Sequence, residues 1–101
     1  MKAQALLERR PIGSRLAIDY PQEGEAIASP TYTFRIDGAA PRVEIAIDGG
    51  DWSSCRRSDD FWWFDWSGYD SGRHQAIVRA ASQSGRDVDT RCCRFLVVLP
   101  P

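Results

Sequence analysis

Residues able to do chemistry are few in this chain: one histidine, His74, three cysteines, Cys55, Cys92 and Cys93, and a scatter of acids. Acyl transfer or hydrolysis needs a nucleophile, a base that takes its proton and donors for the developing oxyanion, and nothing spaced around His74 supplies that set. A lone histidine at the start of a strand is expected to pack at the core edge with a hydrogen bond to backbone. Zinc asks for four ligands at close range, whereas Cys55, Cys92, Cys93 and His74 show neither C-x-x-C nor H-x-x-x-H spacing. Asp59, Asp60, Asp65 and Asp70 do not follow the spacing of an EF-hand loop and read as turn-capping and solvated positions. Gly49 and Gly50 are not followed by a helix N-terminus that would offer a phosphate a row of amides, so they read as a hairpin turn. The expectation is a protein without a catalytic residue, cofactor or metal site.

What rises above this background is aromatic. Trp52, Phe61, Trp62, Trp63, Phe64, Trp66 and Tyr69 all fall between positions 52 and 69. A strand in a two-layer sandwich buries one face only, so a run with rings on both faces leaves some outside unless another segment covers them. Parity puts Trp62, Phe64 and Trp66 in one row, assigned to the core, and Phe61 and Trp63 in the other, facing outward near Thr31 or Thr33. The candidate binding residues are therefore Trp63, Phe61, Trp52 and Tyr69. Aromatic anchors concentrate binding energy at protein interfaces, which favours a protein partner or self-association. A pyranose ring stacking on Trp63, with neighbouring Asp and Arg bonding its hydroxyls, is the alternative. An N-terminal tail folded over the patch would account for the same rings without any ligand.

Positioning these residues falls to strands. The chain has 101 residues, the size of one domain, with 43% hydrophobic and 27% charged side chains, enough for a single packed core. Residues 1–15 stand apart: Ala3, Leu6, Leu7 and Arg10 suit a short helix that Pro11 and Gly13 stop, a tail preceding a domain over 16–99. From Leu16 the period is two. Strands are expected over Leu16 to Tyr20, around Ala26 to Ala28, over Pro30 to Asp37 with Tyr32, Phe34 and Ile36 inward, and over Arg42 to Asp48 with Val43, Ile45 and Ile47 alternating. Asp48-Gly49-Gly50 supplies the positive-φ residues of a tight hairpin. Trp52 to Arg56 returns as a short strand, a polar connection spans Arg57 to Asp60, and Phe61 to Trp66 follows. His74, Ala76, Val78 and Ala80 line one face of the next strand. A turn lies within Ser82 to Arg86, and the last strand runs from Val88 to Val98 with Cys93, Phe95 and Val97 inward and Cys92 outward. The pattern gives an all-β, immunoglobulin-like antiparallel β-sandwich of about seven strands behind a short N-terminal tail.

Charge and cysteine usage narrow the class. The formal charge is −1 with both signs interspersed, which shows no nucleic-acid footprint. No apolar run approaches the ~20 residues that span a bilayer, and the N-terminus lacks the apolar core of an export signal. Three cysteines cannot all pair internally, and reduced thiols fit a cytoplasmic setting.

Two stretches, "VEIAIDGGDW" and "FDWSGYDSGRHQAIVRAASQSG", resemble the middle and late strands of bacterial immunoglobulin-like and fibronectin-III-like (E-set type) modules. In these, a strand runs into an Asp-Gly-Gly turn and a Trp, and a Gly-x-His start leads a later strand. The opening "IDYPQEGEAIASPTYTFRI" is similar to their first two strands. The resemblance implies the sandwich fold and a role as spacer, adhesion unit, glycan-binding unit, or accessory domain of the kind found in molybdenum-dependent sulfite-oxidase-like enzymes. It implies a fold more than a function.

Overall fold

The computed structural model describes residues 16–81 and 88–101, so the expected tail over 1–15 and the expected turn within Ser82 to Arg86 lie outside the described residues. Among the described residues every regular element is a strand: β1 (Ala17–Tyr20), β2 (Ala26–Ile27), β3 (Thr31–Asp37), β4 (Arg42–Ile47), β5 (Ser53–Ser54), β6 (Arg56–Ser58), β7 (Phe61–Ser67), β8 (Gly72–Ala81) and β9 (Val88–Val97). They form a four-stranded sheet in the order β1-β3-β7-β6 and a five-stranded sheet in the order β2-β9-β8-β4-β5. Apart from the parallel pairing of β2 with β9, all neighbours are antiparallel. In chain order the four-stranded sheet takes the A, B, E and D places of an immunoglobulin constant-type sandwich, and β4, β8 and β9 take those of C, F and G.

Nine strands are described where about seven were expected; the element without an expected counterpart is β6, where the chain changes sheets within what was expected to be one strand and a polar connection. β5 pairs with β4, and β6, two residues later, pairs with β7 in the opposite sheet. Cys55 sits between them, buried, its backbone N–H donating to the Val43 carbonyl at 2.9 Å. Both tight turns nearby use left-handed residues. Asp48 and Gly49 adopt φ of 55° and 75° after β4, and Asp59 and Asp60 adopt φ of 53° and 68° between β6 and β7. Two successive positive-φ residues match the right-handed twist of the strands they join, and aspartate tolerates that region better than most residues.

The core sits between the sheets and follows the period-two alternation. Phe34 and Ile36 of β3, Val43 and Ile45 of β4, Ala76, Val78 and Ala80 of β8, and Cys93, Phe95 and Val97 of β9 are buried. Phe34, at 0% exposure, lies at the centre. Its ring meets Tyr32, Phe64 and Trp66 of its own sheet and Phe95 across the gap, with centroids 5.6 to 6.3 Å apart in tilted or edge-on arrangements that suit aromatic quadrupoles. Trp62 is buried and donates its indole N–H to the Gly38 carbonyl at 3.0 Å, so its polar atom is satisfied inside. Arg57 donates to the same carbonyl at 2.9 Å and lays its guanidinium over the Trp62 ring at 5.2 Å, closing that end of the sheet.

Phe34→Ala removes a ring that both sheets share. It should cost roughly 3–5 kcal/mol, a large part of the ~5–15 kcal/mol a domain of this size has. Chemical denaturation followed by tryptophan fluorescence measures it, and a loss under about 1 kcal/mol would show that the core does not centre on this ring.

Candidate interaction surfaces

On the outer face of the four-stranded sheet the sequence places one aromatic and cationic row across all its strands. Tyr20 of β1 is paired with Arg35 of β3, Arg35 with Trp63 of β7, and Trp63 with Arg56 of β6. Phe61 joins this row on the same face of β7, its ring 6.1 Å from that of Trp63 and nearly perpendicular to it. The Arg35 guanidinium lies 4.3 Å from the Phe61 centroid and 4.8 Å from that of Tyr20, so one cation touches two rings. Asp19 fixes it with a 3.1 Å ion pair. Beyond Trp63, Asp65 accepts from the Thr33 hydroxyl at 2.9 Å and from Arg56 at 3.3 Å. The Thr33 bond first, then Arg56, hold the Asp65 carboxyl below its ordinary pKa.

Phe61 and Trp63 are thus on the outer face, half-buried. Their neighbours differ from the expected ones. Thr33 stands opposite Asp65 and Thr31 opposite Ser67, while Trp63 stands opposite Arg35. The expected flat apolar patch near the threonines is instead a platform of rings interleaved with guanidinium groups. Tyr20, 45% exposed, is its most open ring. Tyr20 and Arg35 were not among the expected site residues. For Arg35 the signal was present, since it occupies the outward parity of a predicted strand; Tyr20 shares the parity of the inward Leu16 and Ile18 and faces out only because the register shifts between Ile18 and Tyr20, which alternation does not show.

Trp52 and Tyr69 lie elsewhere. Trp52 precedes β5 and, by continuing the β4–β5 register, falls opposite Ala46 on the outer face of the five-stranded sheet; Ala46 is buried there although its parity is outward. Arg79 covers the Trp52 ring at 4.0 Å and is held by Glu44 at 2.9 Å. Tyr69 stacks on Trp66 with centroids 3.8 Å apart and donates its hydroxyl to the Ser29 carbonyl at 2.6 Å. That ring ties the loop after β7 to the loop before β3, a packing role. Of the expected binding residues the structure brings only Phe61 and Trp63 together.

His74 ends up at the same end of the sandwich as Tyr69. Its Nδ1 lies 2.6 Å from Asp48 Oδ2, and its Nε2 lies 2.8 Å from the Asp70 carbonyl oxygen. Both partners only accept, so both contacts become hydrogen bonds only when the ring carries two protons. Trp66 meets the imidazole edge-on at 5.1 Å, and Phe95 stacks beside it at 5.9 Å. Burial taken alone lowers the histidine pKa; the Asp48 and Asp70 hydrogen bonds and charges outweigh it and hold the pKa above its ordinary value. Asp48 does more than turn the chain. Its Oδ1 accepts the Gln75 N–H at 2.9 Å, and its own N–H donates to the Gln75 carbonyl at 2.8 Å. With both nitrogens committed, His74 has the structural place expected of it, with a carboxylate added to the expected backbone partner.

The cysteines divide as the alternation requires. Cys92 is exposed, while Cys93 and Cys55 are buried. Burial, then nearby carboxylate charge, pushes the Cys55 thiol up to about 12 and the Cys93 thiol up to about 11, and Cys93 Sγ points at the Pro21 carbonyl at 3.2 Å. Neither is a nucleophile at neutral pH. Among the described residues no group of His, Cys, Asp and Glu is arranged to hold a metal ion.

This architecture is that of an immunoglobulin-like, fibronectin-III-like β-sandwich. Comparison with solved structures gives the same fold. Fibronectin(III)-like modules of Clostridium thermocellum CbhA match 85% of this chain and 99% of their own, with 17% identity and a TM-score of 0.63. The endo-beta-1,4-mannanase of Thermotoga petrophila matches 84% of the chain at 13% identity and a TM-score of 0.70, and an engineered protein matches 83% at 18% identity and 0.69. This chain spans 20% of each of these two larger proteins. No family model and no curated protein matches the sequence.

Two outcomes follow from the geometry around His74 and the thiols. Because the folded-state pKa of His74 is raised, its contribution to stability is complete below about pH 6.5, the ordinary histidine value, and is lost as pH rises through the folded value. Thermal unfolding between pH 5 and 8 should therefore show a decline that His74→Gln abolishes; an identical pH profile in the variant would refute the clamp. Native protein should react with one equivalent of a thiol reagent, at Cys92, and with three only after unfolding; fast labelling of Cys55 would contradict its burial.

Proposed function

We propose that this chain is a non-catalytic accessory module that docks another protein surface, a second copy included, through the outer face of its four-stranded sheet. The observation that carries this reading is the row Tyr20–Arg35–Trp63 with Phe61, in which tyrosine, tryptophan and arginine share one face. These are the residue types that dominate binding energy at protein interfaces, because they desolvate a large area with few rotamers to fix. The rings are already held in place by Arg35 and by the 2.8 Å bond from the Trp63 indole N–H to the Ser58 carbonyl, so little ordering remains to oppose association. The lone histidine, bonded at both nitrogens, offers no free base and supports a non-catalytic role.

Sugar stacking is the second reading. It is favoured by the open Tyr20 ring and by the likeness to a mannanase and to modules of CbhA. Against it, Arg35 already occupies space over Phe61, and Trp63 stands edge-on to that ring, so no pair of coplanar rings is presented to a pyranose.

A photo-crosslinking residue placed at Thr33 should yield one discrete adduct, with itself or with a partner, that Trp63→Ala abolishes while circular dichroism stays native. The same probe at Thr90, on the other sheet, should not. Equal labelling from both positions would sink the docking face. A saturable change in tryptophan fluorescence with mannan or cellulose oligomers, lost in Tyr20→Ala, would replace it with the sugar reading.

A further inference from the structure

The residues of the ring platform stand in a particular order. Across the four-stranded sheet from β1 to β6, one register level carries Tyr20, Arg35, Trp63 and Arg56, so ring and cation alternate from edge to edge. Reversing such a row sets every ring against a cation. The two end members are also the least used within the chain. Tyr20 is 45% exposed, and the Arg56 side chain, 58% exposed, reaches Asp65 at 3.3 Å on the open surface. They lie at opposite edges of the sheet, three strand spacings or about 14 Å apart. One molecule cannot bring them together.

Two copies can, and charge decides how. Arg35 and Arg56 on this face stand against Asp19, Asp37 and Asp65, a balance to within one charge that lets a copy approach without strong repulsion. A two-fold axis lying along the row would keep its order and stack Arg35 on Arg35 and Arg56 on Arg56, like charge on like. An axis parallel to the strands, between β3 and β7, reverses the row instead. Arg56 then covers the open Tyr20 ring of the second copy, and Arg35 faces its Trp63, each contact occurring twice by symmetry. At the adjacent level Thr33 meets Asp65, which keeps the Asp65 carboxylates apart. Asp37 and Phe61 meet at the end of the face, where the angle of about 30° between aligned sheets spreads the strands.

We infer that the platform pairs with a second copy of this chain in a symmetric, face-to-face dimer whose two-fold axis runs parallel to the strands between β3 and β7. This rests on the docking role proposed for the same face and names its partner. The seven residues of β3 and of β7 give a face about 24 Å long, and four strands give a width of about 19 Å. The footprint is therefore at most roughly 450 Å² per copy, or roughly 900 Å² in all, the size of a weak and reversible association.

Sedimentation equilibrium of the full chain up to about 1 mM, with reductant present to keep Cys92 a thiol, should show a monomer–dimer equilibrium. Tyr20→Ala and Arg56→Ala should each weaken it about tenfold, since each removes both symmetric copies of one contact. The double variant should lose no more than either single one, because the two side chains serve the same contact. Losses that add to about a hundredfold would overturn the arrangement, since residues this far apart in one chain couple only through the second copy. The unaltered chain gives an independent reading: in an equal mixture of labelled and unlabelled protein, isotope-filtered NOEs should join the Tyr20 ring of one copy to the Arg56 side chain of the other. NOEs from Tyr20 to Tyr20 would refute the reversed row. A chain that stays monomeric at about 1 mM would overturn the dimer altogether. If that monomer still gives the Thr33 adduct with a different protein, the docking face stands without its self-partner; if Thr33 gives no adduct, both readings fall.

Discussion

Two sheets that each have one dry face must share a filler, and here that filler is Phe34. Its ring is closed off from solvent and touches aromatic residues from both layers. A small domain has little apolar area with which to offset chain entropy, so a few large rings meeting near one point do what a thicker core does by number. Phe64, Trp66 and Phe95 take their places relative to that ring. Once it is fixed, the outward parity of β3 and β7 is fixed with it, and the platform residues have nowhere else to point.

Outward-facing rings are a hazard for a small domain, since exposed apolar surface invites non-specific association. The chain answers with guanidinium groups. Arg35 lies against Phe61 and Tyr20 and Arg79 against Trp52, and Asp19 and Glu44 orient the two guanidinium groups. Such pairs keep the ring flanks partly covered while leaving them available to a partner that supplies a better contact. Each sheet thereby presents a mixed surface, rings and guanidinium groups on the four-stranded sheet, and Trp52 under Arg79 beside aliphatic residues on the five-stranded one.

Much of this was legible in the sequence, and the reasons differ by residue. Alternation over Thr31 to Asp37 and over Arg42 to Ile47 fixes inward and outward faces because only one face of each strand can be dry. The same rule separates Cys92 from Cys93. It says nothing about which residue lies across the ladder. Pairing Trp63 with Arg35 rather than with a threonine is a matter of register between strands far apart in sequence, set by the whole sheet. The sheet switch at Cys55 was hidden for a similar reason: Ser53 to Ser58 is polar and short, and a two-residue edge strand has no period to read. Asp48 looked like turn chemistry and was that, but its grip on His74 joins positions 26 residues apart and leaves no local mark.

The imidazole at the end of the sandwich has one more implication. It is the single histidine of the chain, and it bridges the bend after one strand to the loop ahead of another while resting among three aromatic rings. Ring currents displace its carbon-bound proton resonances from their usual window, and no second histidine overlaps them. The molecule therefore carries a built-in spectroscopic indicator, readable without isotope labels, of whether that joint is closed.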